Sequence, residues 1–282
     1  MARIALTGAA GRIATSLRPR LHAAGHDLVL LDAVRVPDAV PDAVPGAVPG
    51  ERVVEADLRD VEAHADAFAG ADLVVHLGGL SDERPWADLL AVNVDGTRAV
   101  LDAVVRAGVG RVLLASSVHA AGYVPVDDPA TAAGMPLPAP DTYYGASKAA
   151  VEALGGLYAG RFGLTVVSAR IMTFGEEPSG RSSLRWWLSA DDMARLVDAV
   201  RTTDAGGHHV VWGVSANARG HVDPGPGAGI GFVPVDDAQT WVDEGRLGAD
   251  VAAEAPRAVL GGGFADPAYR LGEAHGGAPT RT

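Results

Sequence analysis

Cysteine is absent from the 282-residue sequence, and so are long apolar runs and clusters of basic residues. Without cysteine there is no disulfide, no catalytic thiolate and no cysteine-ligated zinc, and we expect no metal site. No apolar stretch approaches the roughly 18 residues that a membrane-spanning helix needs. The first residues also lack the basic and apolar parts of a secretory signal. These absences predict a cytoplasmic protein that does not span a membrane.

The charge balance is acidic, with 23 basic and 35 acidic residues and a formal net charge of −12. A chain of this kind lacks the positive surface of a nucleic-acid-binding protein, although a local positive patch could still hold an acidic small molecule. Apolar residues make up 48% and charged residues 21%, which is ordinary for a globular chain. The number of subunits stays open, with a homo-oligomer as one alternative.

Short apolar segments alternate with longer amphipathic ones along most of the chain. The short segments are continuous apolar runs, which is typical of a parallel sheet covered by helices on both faces. We therefore predict an α/β fold, a Rossmann doubly wound parallel sheet with a small C-terminal substrate-binding lobe. The predicted strands are Arg3–Thr7, Leu28–Asp32, Asp72–His76, Arg111–Ala115, Thr165–Arg170 and His208–Trp212, and the predicted helices are Gly11–Ala24, Trp86–Ala107, Asp141–Phe162, Ala190–Thr203 and Asp237–Glu244.

Three regions are predicted. Residues 1–170 form a dinucleotide-binding core that includes the catalytic helix, and residues 171–255 form a small substrate-binding lobe with returning core elements. Residues 256–282, rich in glycine, alanine and proline, form a C-terminal tail that we expect to be partly disordered. A proline-rich near-repeat at 33–50 predicts an exposed loop between the second and third strands.

A glycine-rich turn follows the first strand and opens the first helix, as in dinucleotide-binding sites. Gly8 allows the tight turn, and Gly11 lets the backbone approach a pyrophosphate, which the free N–H groups at the helix start would bind. Asp32 ends the second strand, where a carboxylate can accept the adenosine ribose hydroxyls and would repel the extra phosphate of NADP, so NAD is predicted. The predicted cofactor-binding residues of this part are Gly8, Ala10, Gly11, Arg12, Ile13 and Asp32.

Two later segments extend the predicted NAD site. Glycines at the end of the fourth strand would let the cofactor lie against the backbone, and the acidic turn after the third strand could reach the adenine edge. Asn93 lies in a helix, and we interpret it as a structural residue that bonds to strand backbone at the border of the site. His76 is interpreted as a packed histidine. The cofactor candidates added here are Asp57, Leu58, Leu77, Gly78, Gly79 and Asn93.

Tyr144 and Lys148 stand four residues apart, on one face of a predicted helix. An ammonium one turn away favours the phenolate of a tyrosine, whose ordinary pKa near 10 makes it a poor base. Lys148 could also hold the nicotinamide ribose, and both Tyr144 and Lys148 are predicted cofactor-binding residues. Ser117 closes the fifth strand, at the sheet edge where ligands of α/β proteins bind. These three are the predicted catalytic residues, and Tyr143 is the competing but less well aligned tyrosine.

These motifs resemble the extended short-chain dehydrogenase/reductase superfamily, from the first strand to about Val242. The segments 76–86, 116–123, 186–193 and 210–217 are similar to uronate dehydrogenases in particular. That resemblance implies oxidation of the anomeric carbon of galacturonate or glucuronate by NAD, giving an aldarolactone. It also implies that the sugar acid contacts Ser81, Ser117, His119, Tyr144 and an arginine, here Arg181 or Arg185. Val118 stands where the family has asparagine.

Alternatives stay open at this point. The same machinery could serve another sugar, a small alcohol or ketone, or an epimerase reaction. A nucleotide-sensing protein without turnover is the alternative from another functional class.

Overall fold

The computed structural model describes residues 1–36, 51–179, 183–247 and 257–274. Its strands are β1 Arg3–Thr7, β2 Asp27–Asp32, β3 Glu51–Glu55, β4 Leu73–His76, β5 Arg111–Ser117, β6 Thr165–Ile171, β7 Thr173–Phe174, β8 Trp187–Leu188 and β9 Gly207–Gly213. Seven of them form one parallel sheet in the order β3-β2-β1-β4-β5-β6-β9, while β7 and β8 pair separately. The predicted doubly wound parallel sheet is confirmed.

Helices cover both faces of this sheet. In the described part of the chain they are α1 Arg12–Ala23, α2 Val61–Phe68, α3 Trp86–Leu89, α4 Gly96–Ala107, α5 Pro129–Ala133, α6 Tyr143–Phe162, α7 Ser183–Trp186, α8 Ala190–Thr202, α9 Gly225–Ala228 and α10 Gln239–Asp243. Apolar side chains of α1 and α8 pack on one face, and those of α2, α4 and α6 pack on the other. Because both faces are buried, the strands can be apolar throughout.

The predicted helix Trp86–Ala107 is interrupted by a π-helical turn, Leu90–Asp95, between α3 and α4. Asn93 lies in this turn, and its side chain bonds outside the helix. π turns place a side chain where a regular helix would not. The interruption therefore serves a contact across the fold, which periodicity alone does not reveal.

The long helix α6 begins two residues later than predicted, because Thr142 is its cap. The Thr142 hydroxyl accepts a hydrogen bond from the backbone N–H of Gly145 at 3.0 Å. The helix ends at Gly163, which has the left-handed φ of 71° that favours glycine. These two caps place Tyr144 in the first helical turn, beside the carboxyl end of β5.

Residues 37–50 of the predicted proline-rich loop lie outside the described residues. The described helices include none that is long and apolar enough to cross a membrane. The described histidine and acidic side chains form no cluster suited to a metal ion.

Candidate active site

A cleft of about 800 Å³ opens at the carboxyl ends of β1, β2 and β4. Since β1 pairs with β2 on one side and with β4 on the other, this is the point where strand order reverses. Eight of the predicted cofactor residues line the cleft, namely Gly8, Gly11, Asp32, Asp57, Leu58, Leu77, Gly78 and Gly79.

The glycine-rich turn is shaped by close backbone contact. Gly8 has a φ of 70°, and a Cβ at this position would lie 2.5 Å from the backbone nitrogen of Gly78. Helix α1 then begins at Arg12 with no side-chain cap and no acidic residue in its first turn. This arrangement leaves the positive end of the helix dipole facing the cleft, and the residues present fit a pyrophosphate group.

Asp32 links the turn to the end of β2. Its carboxylate accepts hydrogen bonds from the backbone N–H of Ala10 at 2.9 Å and of Val34 at 3.1 Å. Across the cleft, the Arg59 guanidinium donates to Asp57 and lowers the pKa of that carboxyl to about 2. Both acids line the cleft, where they can meet hydroxyl or amine donors of a nucleoside.

Six other predicted cofactor residues lie outside the cleft lining, and two of them, Tyr144 and Lys148, are described below. Arg12 is exposed, with its guanidinium 6.0 Å from the Phe174 ring centroid, and Ile13 is half-buried in α1. Ala10 contributes its backbone N–H to Asp32. Asn93 is buried and bridges Leu80 to Ser147, with its amide group used in protein contacts.

His76 is a structural histidine of the core. Its two ring nitrogens lie 2.6 Å from the Thr7 hydroxyl and 3.0 Å from the Thr97 hydroxyl. Burial lowers the pKa of His76 to about 3, so the ring is neutral near pH 7. It joins β1, β4 and α4 beneath the cleft.

Tyr144, Ser117 and Lys148 lie together where β5 ends. The Tyr144 phenol is hydrogen-bonded to the Ser117 side chain, and the Lys148 ammonium lies 5.8 Å from the Tyr144 ring centroid. Lys148 donates to the Ala115 carbonyl at 2.8 Å. By contrast, Tyr143 is 39% exposed and packs against Trp86.

The pKa of Tyr144 differs from the expectation that the Lys148 ammonium lowers it. Burial raises the pKa of Tyr144 to about 12, and the Ser117 hydrogen bond opposes it only in part. Burial also lowers the pKa of Lys148 to about 8. Among the protein's own groups, loss of hydration therefore outweighs the attraction of the ammonium, because both side chains are almost fully enclosed.

A second cavity, of about 710 Å³, has His119 in its lining. The Nδ1 of His119 is 2.7 Å from a carboxylate oxygen of the buried Asp141, which leaves Nε2 available to the cavity. The ring of His119 lies 5.9 Å from that of Tyr144 and 4.2 Å from that of Phe264. His119 thus connects the second cavity to the Tyr144 group.

The structure does not place the other predicted substrate residues in the lining of either cavity. Ser81 is exposed and lines neither cavity. Arg185 lies in α7 near His221, also outside both linings. Arg181 lies outside the described residues.

Residues of the C-terminal region were missed by the sequence reasoning. Arg257, Leu260 and Phe264 line the second cavity. The segment pairs with the loop after β5, since Leu260 N donates to Val124 O at 2.9 Å and Gly261 N donates to Gly122 O at 2.8 Å. Two aromatic residues, Phe264 and Tyr269, in a glycine-rich stretch were the one signal that this segment packs.

Two buried carboxylates were also missed. Glu83 accepts hydrogen bonds from the backbone N–H of Tyr144 and of Gly272, both at 2.8 Å. Glu152 accepts hydrogen bonds from the Ser116 hydroxyl at 2.6 Å and from Nε and Nη2 of Arg170, both at 2.8 Å. They tie helix α6 to the C-terminal segment and to strands β5 and β6.

Comparison with known proteins is consistent with this geometry. Residues 4–180 match the family model described as the NAD dependent epimerase/dehydratase family. The chain belongs to this family. Within the family, the uronate dehydrogenase of Pseudomonas syringae pv. tomato is 35% identical over 93% of this chain and 92% of its own length. That of Agrobacterium fabrum is 35% identical over 86% of this chain and 87% of its own.

Solved structures of the same family agree in fold. A uronate dehydrogenase from Agrobacterium tumefaciens, in the form of a tyrosine-to-alanine mutant complexed with NAD, is 31% identical and has a TM-score of 0.81. The match covers 96% of this chain and 99% of that one. The likeness therefore extends well beyond the dinucleotide-binding core.

Proposed function

We propose that this member of the family oxidises the anomeric carbon of a hexuronic acid, galacturonate or glucuronate, with NAD, giving an aldarolactone. The observation that carries the proposal is the position of Tyr144. Its phenol is hydrogen-bonded to Ser117 at the end of β5, and the Lys148 ammonium and the His119 ring centroid lie 5.8 Å and 5.9 Å from the centroid of its ring. Lys148 adjoins Gly79 of the cleft suited to a dinucleotide, and Tyr144 adjoins His119 of a separate cavity large enough for a sugar.

The cofactor would be held by the first cleft. The backbone around Gly8 and Gly11 and the uncapped start of α1 fit the pyrophosphate, and Asp32 fits a ribose diol. When bound, NAD supplies the hydride acceptor, and the protein supplies orientation. A carboxylate at Asp32 disfavours the extra phosphate of NADP.

The chain's own residues handle the proton. Ser117 and His119 would orient the anomeric hydroxyl, and Tyr144 would take its proton as the carbon–hydrogen bond breaks and the carbonyl of the lactone forms. Lys148 would bind the nicotinamide ribose and stabilise the phenolate. The enclosed setting excludes water from the reacting atoms.

The division of labour along the chain is part of the proposal. Residues 1–170 would bind the cofactor, and residues 171–255 with 256–282 would complete the substrate side. We also predict that the enzyme acts in the cytoplasm.

The test follows absorbance at the NADH band with purified protein and NAD, using galacturonate, glucuronate and the corresponding neutral sugars, with NADP as the control cofactor. We expect reduction of NAD with the uronates. Absence of NADH formation with either uronate would overturn the proposal, and activity with neutral sugars alone would assign the site to another sugar.

The substitution Tyr144→Phe tests the role of the phenol. Turnover should fall by at least roughly a hundredfold, the usual contribution of a positioned acid–base group, while the dissociation constant for NAD stays unchanged. Tyr143→Phe is the matched control, because that ring is exposed and lies outside the group. Near-normal turnover of the Tyr144 variant would contradict the assignment.

A further inference from the structure

The second cavity contains a cation that comes from the C-terminal segment. Among the described residues that line this cavity, Arg257 is the one arginine or lysine. We infer that Arg257 binds the carboxylate of the sugar acid and so sets the preference for an acidic sugar. This inference rests on the proposed function and identifies a specificity residue of the same site.

Backbone pairing fixes the place of Arg257. The segment that follows it runs antiparallel to the loop after β5, with hydrogen bonds from Val126 N to Ala258 O, Leu260 N to Val124 O and Gly261 N to Gly122 O. The Arg257 guanidinium lies over Gly262, where an added Cβ would come within 3.0 Å of its Nε and Cζ atoms. The cation is thus held beside the cavity by the fold.

An acidic ligand in the second cavity needs a positively charged partner, because the rest of the lining offers little to a carboxylate. The side chains there are mostly apolar: Val118, Met172, Trp186, Leu260 and Phe264. A carboxylate in such surroundings is costly unless it is paired and hydrogen-bonded. The planar fork of arginine matches a carboxylate with two parallel hydrogen bonds, which a lysine does not provide.

An indole in the lining of the cavity lacks an acceptor. The N–H of Trp186 is buried and has no hydrogen-bond partner among the described residues. Buried donors in folded proteins are nearly always paired. An oxygen of a bound sugar acid would supply the acceptor.

Of the described residues that line the cavity, His119 is the one in ring contact with Tyr144. His119 connects it to Tyr144, with the rings 5.9 Å apart, and Phe264 packs on His119. The anomeric carbon would therefore face His119 and Tyr144. In a hexuronate ring the carboxylate is attached to C5, across the ring oxygen from the anomeric carbon, and we assign it to Arg257 because that residue is the arginine in the described lining of the same cavity.

The experiment compares Arg257→Gln, which removes the charge, with Arg257→Lys, which keeps the charge and loses the fork. Arg181→Gln and Arg185→Gln test the other candidate arginines, and Arg161→Gln, on the exposed end of α6, is the control. For each variant we would measure kcat and KM with galacturonate, the inhibition constant of the neutral galactonolactone, and the dissociation constant for NAD.

We expect Arg257→Gln to lower kcat/KM for galacturonate by roughly 10- to 100-fold, the size of a hydrogen bond to a charged group. The loss should be mainly in KM, Arg257→Lys should recover part of it, and galactonolactone and NAD should bind as in the parent enzyme. These constants separate a lost charge from a disturbed cavity.

Two results would overturn the assignment of Arg257. One is an unchanged KM for galacturonate in Arg257→Gln, above all if Arg181→Gln or Arg185→Gln raises that KM. The other is an equal loss of galactonolactone binding, which would indicate packing and not charge. A parent enzyme without uronate activity would instead overturn the proposed function itself.

Discussion

Lys148 is the only lysine in the sequence, whereas arginine supplies every other basic side chain apart from histidine. Arginine stays charged in any protein environment, but a lysine amine changes its pKa readily when buried. Burial lowers the pKa of Lys148 to about 8, so this amine titrates near the physiological range. The site therefore holds a group that can both carry charge and release a proton.

The low pKa implies a stability cost. The folded protein binds this proton less tightly than the unfolded chain does, where the pKa is 10.5. The cost, about 3 kcal/mol, is complete below about pH 8 and disappears as the pH rises toward 10.5. Lysine at this position thus serves function at the expense of stability.

Lys148→Met should abolish turnover and stabilise the protein at neutral pH. The Ala115 carbonyl loses its donor, at about 1 kcal/mol, so the net gain should be near 2 kcal/mol and the Tm should rise by about 5 °C. Thermal denaturation at about pH 7 and about pH 9.5 would show the gain shrinking with pH. Arg161→Met, on the exposed end of the same helix, is the control, and a lower Tm for Lys148→Met would contradict the argument.

The pKa itself can be measured in the parent protein. Because the chain has one lysine, incorporation of ¹⁵N-labelled lysine gives a single side-chain amine signal. Its midpoint should lie near 8, and a midpoint near 10.5 would show that the amine is hydrated.

The positions of the catalytic candidates could be predicted from the sequence, but their acidity could not. A strand that ends in Ser117 and a helix with Tyr144 and Lys148 four residues apart are local patterns. The pKa shifts arise from burial by residues far along the chain, which no local pattern records. The role of each candidate stays a prediction.

At the scale of elements, Glu83 joins two parts of the chain that are distant in sequence. Its side chain is fully buried, and its two oxygens accept one N–H at the start of α6 and one from Gly272, which is 189 residues away. A carboxylate is also favourable at the positive end of a helix. The loop after β4 thereby holds helix α6 and the C-terminal segment together.

Glu83→Gln should loosen both contacts. The amide nitrogen cannot accept, so one buried N–H loses its partner, and the free energy of unfolding should fall by about 2 kcal/mol. Hydrogen exchange should become faster at Tyr144 and across residues 257–274. The control is Glu62→Gln, whose side chain is 74% exposed in its ion pair. Unchanged exchange in the C-terminal segment would show that Glu83 does not hold it.

Elements with a strong apolar run were predictable, and those that depend on distant partners were not. Strands β1, β4 and β6 are buried runs and lie within one or two residues of their predicted ends. The edge strand β3 is mostly exposed and had no predicted bounds. The π turn carries Asn93, which bonds to Leu80 and Ser147, and neither contact is visible in local periodicity.

At the scale of the whole molecule, the group of Tyr144, Ser117 and Lys148 adjoins two cavities that have no lining residue in common. The first lies at the ends of the amino-terminal strands, where a Cβ on Gly79 would lie 3.9 Å from the Lys148 nitrogen. The second is lined by residues of the segment 257–264 and by His119, whose ring lies 5.9 Å from that of Tyr144. Because the glycine-rich C-terminal region has little periodicity, its composition indicated a loose tail. Its order comes from backbone hydrogen bonds to the loop after β5 and to Glu83, which are long-range contacts.

Closure of the second cavity depends on the absence of a side chain at Gly261. A Cβ there would lie 1.9 Å from a carboxylate oxygen of Asp141 and 3.1 Å from the Cα of Gly122. The Asp141 side chain has little room to move, since it is buried and bonded to His119 and Thr142. Gly261→Ala must therefore displace the C-terminal segment or His119.

We expect Gly261→Ala to lower kcat/KM for the uronate by roughly a hundredfold, as small displacements of positioned groups do. NAD should bind as before, because the first cleft does not include this segment. Gly110→Ala is the matched control, since an added Cβ there meets no atom within 4 Å. If Gly261→Ala weakened NAD binding as strongly as turnover, the two cavities would not be separable parts of the molecule. Loss of turnover alone would indicate that the segment 257–274 completes the substrate side of a cofactor site that forms without it.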